Sequence, residues 1–432
     1  MTWIQRFKFR NFIRASSWIV PAGWAVLAIV LHKLVWKFDL WARWELLGHT
    51  QEGARALVGS ISSAMLTFIV FLLTMIFIAI QISVAQLTPR IIIYVFRERV
   101  VKMSLGFFIF TYLFSVSVQG KIGDPMPQLG VMLTVVFSLV SIGIFVYLVG
   151  YIGKALRPLS IFANAAVQGI HAIESIYPVQ LTKSGDTVPA ENLSAEGKQS
   201  TTIRYKGKSG HFMAFDVKGL VELASRMDGT IRIIPQVGDF MATGDPLFQV
   251  NQGSGTVDER ELRQSVAVGP ERTIEQDPAF AFRIIVDIAI KALSPAINDP
   301  TTAVRGIDQI HRLLRVLAAR DLGDGRVRDR AGRLCVVFPT SDWEDFVRLG
   351  MTEIRQYGAG SIQVLRRLRA MLEDLIDTVP PDRNPVLREQ LNLLDRTVEN
   401  QFPEPDEQAL GKTADYQGIG GSPLSHVSLS KD

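Results

Sequence analysis

Between Arg55 and Arg90 the chain carries no charged residue. Within that stretch Leu66–Ile80 reads LTFIVFLLTMIFIAI, and a bilayer core of about 30 Å needs only roughly 20 apolar residues in a helix. The segment predicts a membrane-crossing helix over about 57–80, with length to spare. At 100° per residue, Ser60, Ser63, Thr67, Thr74 and Gln81 project into one arc of roughly 60°. A polar stripe on a crossing helix must face protein or water, because hydrocarbon offers it no partner. Ile78 falls in the same arc and would narrow any water path there.

Three further apolar stretches predict spans at about 17–35, 103–118 and 129–152, giving a four-helix membrane domain over 1–160. Pro21 stands in the first turn of the first span, where proline is tolerated. The turn GKIGDPMPQ pairs the last two spans antiparallel. Residues 1–160 hold 15 Lys/Arg against 5 Asp/Glu, and the remainder 31 against 37. The basic excess thus flanks the spans, which removes the main reason to expect a nucleic-acid partner. One set of short loops holds ten Lys/Arg and the other five, so both termini are expected in the cytoplasm of a bacterial inner-membrane protein. The opening MTWIQRFKFRNFIR lacks the pattern of a cleavable signal, so the first span is expected to stay as an anchor. Trp36, Leu40, Trp44 and Leu47 recur at helical spacing and predict a short amphipathic helix at the interface. After the second span, QISVAQLTPR ends in Pro89, and Arg90–Lys102 predicts an interfacial elbow. The single cysteine, Cys335, excludes an intrachain disulfide and a Cys-rich metal site.

Past Arg157 the pattern changes to an α+β cytoplasmic region. A helix and a mobile linker are expected over 161–202, with His171 a lone surface or packing residue. A small β-α-β-β unit follows over 203–252: strand His211–Val217, helix Leu220–Met227, strands Thr230–Pro235 and Pro246–Val250, with turns at Gly238-Asp239 and Gly244-Asp245. The segment VGDFMATGDPLFQV resembles small carboxy-terminal domains of potassium-transport regulators and biotinyl/lipoyl half-barrels. It has no Met-Lys-Met hairpin, so a carrier role is not expected. A helical carboxy-terminal part is expected over 253–402 and a disordered tail over 403–432. Ser341-Asp342-Trp343-Glu344 has capping-box spacing. Arg366, Arg367 and Arg369, followed by Glu373, Asp374 and Asp377, read as a solvated charged face.

Asp277-Pro278 and Asp299-Pro300 each place an acidic N-cap before a proline at the first helical position. Two helices therefore meet at the corner SPAINDPTTA, where Ser294, Asn298 and Asp299 are candidates for a ligand or interdomain contact. Capping accounts for Asp299 and turn formation for Asn298, and the pair makes a poor metal site. Arg283, Asp287 and Lys291 form a ladder along the first of these helices. ERTIEQDPAF, IVDIAIKALSPAINDPTTA and SDWEDFVRLGMTEIRQYG resemble the bacterial family of predicted membrane proteins numbered 2254 among domains of unknown function. The resemblance spans about residues 15–400, including QLTPR. It implies this architecture, but no activity and no catalytic residues.

No P-loop, dinucleotide fingerprint, HExxH, kinase set or GxSxG elbow is present, so neither a catalytic nor a cofactor-binding residue is assigned. No span holds a mid-membrane carboxylate, which argues against a proton-driven pump. Two readings stand side by side, both set in the lipid bilayer. In one the chain is a homo-oligomeric, channel-like protein whose stripe lines a path and whose cytoplasmic domain takes a small ligand. In the other it is a membrane-anchored scaffold or signalling protein whose stripe packs against helices. An enzyme working at the SPAINDP corner is a third.

Overall fold

The computed structural model describes residues 3–16, 18–42, 50–86, 99–155, 158–179, 200–251 and 258–421. It forms two compact units, one of residues 9–161 and one of 162–432 together with 1–8.

In the first unit, α2 (Ile19–Ala42), α3 (Gln51–Gln86), α4 (Arg99–Gln119) and α5 (Gln128–Ala155) are long and apolar enough to cross a membrane. The preceding helix α1 (Trp3–Ala15) is shorter and basic. α4 is the central helix: 50% of its span is buried, against 17–22% of the other three. Its Phe108 and Phe114 are fully enclosed, and Phe110 and Phe114 stack edge-on against Phe137 of α5. Trp24 of α2 lies over Gly106, where any Cβ would collide with the indole. The polar ends are tied by specific bonds. Asp39 accepts from the backbone N–H of Leu129 (2.9 Å) and Gly130 (3.1 Å), capping the start of α5 with a carboxylate from α2. An anionic cap there satisfies orphan amides and complements the helix dipole.

α2 runs unbroken through Trp36 and Leu40 to Ala42, so these residues extend the first span and do not begin a separate interfacial helix. No glycine or proline interrupts residues 24–42, and the Asp39 bonds hold the end of the helix. Trp44, Leu47 and the elbow around Pro89 fall outside the described residues.

The second unit begins with α6 (Pro158–Ile176), counted here from Phe162 onward. Strands β1 (Ser200–Arg204), β2 (Gly210–Phe215), β3 (Thr230–Ile233), β4 (Phe240–Met241), β5 (Pro246–Asn251) and β6 (Val266–Gly269) follow, with α7 (Val217–Arg226) after β2 and α8 (Glu259–Gln264) before β6. Next come α9 (Pro278–Ala292), α10 (Pro300–Ala318), β7 (Arg326–Arg328), β8 (Leu334–Val337), α11 (Trp343–Tyr357), α12 (Ile362–Thr378), α13 (Asn384–Gln401) and α14 (Pro405–Gly411). The strands form two sheets, β1-β5-β3-β8-β7 and β4-β2-β6. The expected strands and helix of 203–252 exist, but β2 leaves for the smaller sheet. β8, a hundred residues on, pairs parallel with β3. Phe212, Ile231, Leu247, Phe248 and Val336 close the core of this part. Gly238 and Gly244 take φ of 101° and 98° at the two anticipated turns, which a side chain would strain.

The helical part packs α9, α10, α11 and α12 through enclosed Ile285, Ile307, Leu314, Phe346 and Leu368. α6 joins it closely at Gly169, where a Cβ would come within 2.8 Å of that of Ala281. Asp277 caps α9 through Phe280 N–H (3.0 Å) and pairs with Arg272 (2.6 Å). The capping box of α11 sits one residue later than its spacing suggested. Asp342 and Asp345 exchange bonds of 2.8 and 3.1 Å, because Asp342, not Ser341, takes the extended N-cap conformation.

Two expectations are corrected here. The arginines of α12 are not a solvated face: Arg366 and Arg369 are 1% and 7% exposed. Arg369 pairs with Asp395, and Arg367 with Asp308 at 2.8 Å, because neighbouring helices flank α12 on both sides. Residues 403–421 are ordered, with α14 followed by a loop around buried Asp415. That carboxylate accepts from Gln417, Gly418 and Gly420 N–H at 3.1, 2.9 and 2.7 Å.

Candidate functional site

Ser60, Ser63, Thr67, Thr74 and Gln81 all lie on the exposed surface of the chain along α3. Three of the hydroxyls turn back on their own helix: Ser60 donates to Ala56 C=O (2.9 Å), Thr67 to Ser63 C=O (3.0 Å) and Thr74 to Val70 C=O (2.9 Å). Such i−4 bonds satisfy the hydroxyl donor and leave its oxygen free to accept. Ile78 is exposed as well, 49%.

One end of the stripe opens into a groove of about 1040 Å³ between α3 and α4, walled by Ser60 and Ser63 and by Tyr112 and Gln119. Glu52 and Arg55 stand at its end, and Arg55 Nη2 also donates to Ile122 C=O at 3.0 Å. Gln119 Nε2 lies 3.0 Å from where a Cβ of Gly59 would be, so the missing side chain is what lets α4 come over α3 there. The groove therefore offers a carboxylate, a guanidinium, hydroxyls, a phenol and an amide beside the apolar Ala56, Leu66 and Val116.

A second polar set is buried inside the same unit and has no counterpart in the sequence reading. Ser62 Oγ donates to Ser115 Oγ at 2.8 Å, and Thr111 and Ser141 share a 3.2 Å bond. These residues join α3 to α4 and α4 to α5. Their only sequence signal is a small hydroxyl in each span, and the helix pairing that brings them together cannot be read from spacing.

The corner residues belong to the other unit. Asp299 is the N-cap of α10, accepting from Thr302 N–H (3.0 Å) and Thr302 Oγ1 (2.5 Å). Ser294 Oγ donates to Lys291 C=O at 2.7 Å. Asn298 takes φ of 49° and exposes its side chain. Both Ser294 and Asp299 are thus engaged in local turns, leaving Asn298 as the outward group. Among the described residues no group of three or more His, Cys, Asp or Glu side chains is placed to hold a metal ion.

The model of a family described as "Predicted membrane protein (DUF2254)" matches residues 14–374. Uncharacterized proteins of Mycobacterium bovis and Mycobacterium tuberculosis are each 25% identical over 418 residues, covering 93% of this chain and 79% of theirs. No solved structure matches the chain.

Proposed function

The chain belongs to the predicted membrane protein family DUF2254, and on that premise we propose that it is a homo-oligomeric, channel-like protein of the bacterial inner membrane with a cytoplasmic regulatory region. The observation that carries this reading is the outward stripe of α3. Five polar side chains on one face of a crossing helix are exposed on the protomer, and two of them, Ser60 and Ser63, line a groove of mixed polar and apolar character that is open to the side. A lipid-filled groove would leave Glu52, Arg55 and Gln119 facing acyl chains or headgroups, whereas copies arranged around an axis would enclose it with water. Ile78 supplies the constriction of that path.

The split of ten loop Lys/Arg against five supports a cytoplasmic amino terminus. That residues 1–8 form one compact unit with 162–432 supports the same side for both. The two-sheet module and the SPAINDP corner are the places where a small cytoplasmic ligand would act.

The test is mass determination of the protein in lipid nanodiscs, followed by planar-bilayer recording. The expected result is an oligomer whose conductance changes in Thr67→Val and Thr74→Val. A monomer without conductance overturns the reading.

The back-bonded hydroxyls favour a second reading, a membrane-anchored scaffold or signalling protein in which stripes of two copies pack dry. Small hydroxylated residues permit close helix approach without water. An oligomer that is electrically silent, with Thr67→Cys cross-linking between copies in a Cys335→Ser background, would select it.

A further inference from the structure

Helix α1 has two apolar faces with different fates. Trp3 and Phe7 stack at 5.2 Å and pack with Ala214 of β2 and Ala267 of β6, leaving Phe7 7% exposed. On another side, Phe9, Phe12 and Ile13 are 55%, 55% and 38% exposed. At 100° per residue these three occupy an arc of about 100°, and positions 8 and 6, a lysine and an arginine, border it on either side. Residues 3–15 contain four basic residues and no acidic one. An apolar arc edged by Lys and Arg is the pattern of a helix lying in the headgroup region, its apolar side chains in the acyl boundary and its cations among phosphates.

The chain's course fixes where this helix must lie. Only residues 16–18 separate α1 from α2, and Trp18, 63% exposed, stands immediately before the apolar span. An exposed indole at a span's end marks headgroup depth. The junction is also held, since Lys102 Nζ donates to Ser16 C=O at 2.7 Å and Ser16 N–H to Phe12 C=O at 2.8 Å. α1 thus ends at the membrane surface, with its charge complementary to anionic headgroups.

We propose that α1 is an interfacial helix that inserts Phe9, Phe12 and Ile13 into the bilayer surface and binds anionic lipid headgroups through its basic borders.

The experiment uses the full-length protein in a Cys335→Ser background, with Phe12→Cys or Phe9→Cys carrying a nitroxide. Exposed Glu222 on α7, substituted Glu222→Cys, is the aqueous control. The protein is reconstituted in vesicles of phosphatidylcholine alone or mixed equally with phosphatidylglycerol. Collision with oxygen and with a water-soluble nickel chelate is then measured. The expected result is a several-fold higher oxygen-to-nickel ratio at positions 9 and 12 than at 222, rising further with phosphatidylglycerol and less so in Arg6→Gln. A ratio equal to the control places α1 in water and overturns the proposal. Shielding from both reagents means a protein partner, such as a second copy, covers the arc, and overturns it too. A ratio indifferent to phosphatidylglycerol overturns the anionic-headgroup assignment.

Discussion

Arg283 of α9 and Glu353 of α11 meet through two parallel contacts, each guanidinium terminal nitrogen reaching one carboxylate oxygen, with Nη2 to Oε2 at 2.8 Å. Arg283 also donates from Nε to Asp287 at 2.6 Å, so one side chain joins the helical ladder to the neighbouring helix. The hydrogen bond from Arg283 holds the Glu353 carboxyl below its ordinary range, and the same bond holds Arg283 above its own.

A group depressed in the folded state adds stability above its unfolded pKa and loses it as pH falls through the folded value. For Glu353 the loss begins at about pH 4.3 and continues downward. Because Glu353 is partly exposed, Glu353→Gln should cost only about 0.5 kcal/mol at neutral pH. Thermal melts from pH 7 to pH 3 should show wild type and variant converging at the acid end. A constant gap would contradict the assignment.

Asp39→Ala should remove both bonds at the start of α5 and destabilise the membrane unit by about 1 kcal/mol. Asp39→Asn keeps a cap acceptor and should lose less. Melting in nanodiscs measures the difference, and equal losses would mean that the carboxylate acts elsewhere.

At the corner, Asp299→Ala should cost about 1 kcal/mol through the lost cap. Asn298 holds φ of 49°, so Asn298→Gly should be neutral or stabilising, whereas Asn298→Val should cost about 1–2 kcal/mol. Denaturant unfolding ranks the three. A tolerated Val would show that the corner relaxes out of this turn.

Arg366 donates to Thr413, Gly420 and Gly421 C=O at 3.1, 3.4 and 2.9 Å, from a fully enclosed position. Arg366→Met should leave those carbonyls without that donor and cost about 3 kcal/mol. Hydrogen exchange at Gly418 and Gly420 should speed up before the rest of the helical part responds. Unchanged exchange there would mean that Asp415, Gln363 and Arg367 hold the loop without Arg366.

What could be read from the sequence was local chemistry. Hydrocarbon runs marked the spans, and Asp277-Pro278 and Asp299-Pro300 marked helix starts, because a cap and its amide lie within four residues. What could not be read depended on partners far along the chain. Residues 412–421 are held by Arg366, Arg367 and Gln363, about fifty residues earlier, so the Gly-rich composition of 418–421 misleads there. The inward hydroxyls Ser62 and Ser115 meet across two helices whose facing sides no periodicity reveals. The one-residue shift to Asp342–Asp345 at α11 shows that even capping chemistry depends on which backbone position turns extended.

The parallel pairing of β3 with β8 has a consequence for synthesis. β3 is complete at Ile233, while its partner begins at Leu334. At translation rates of about 5–20 residues per second, that edge waits on the order of 5–20 s for its neighbour. Meanwhile the nascent chain emerges with α9 and α10 in between. The larger sheet therefore has an open strand edge on the ribosome throughout that interval.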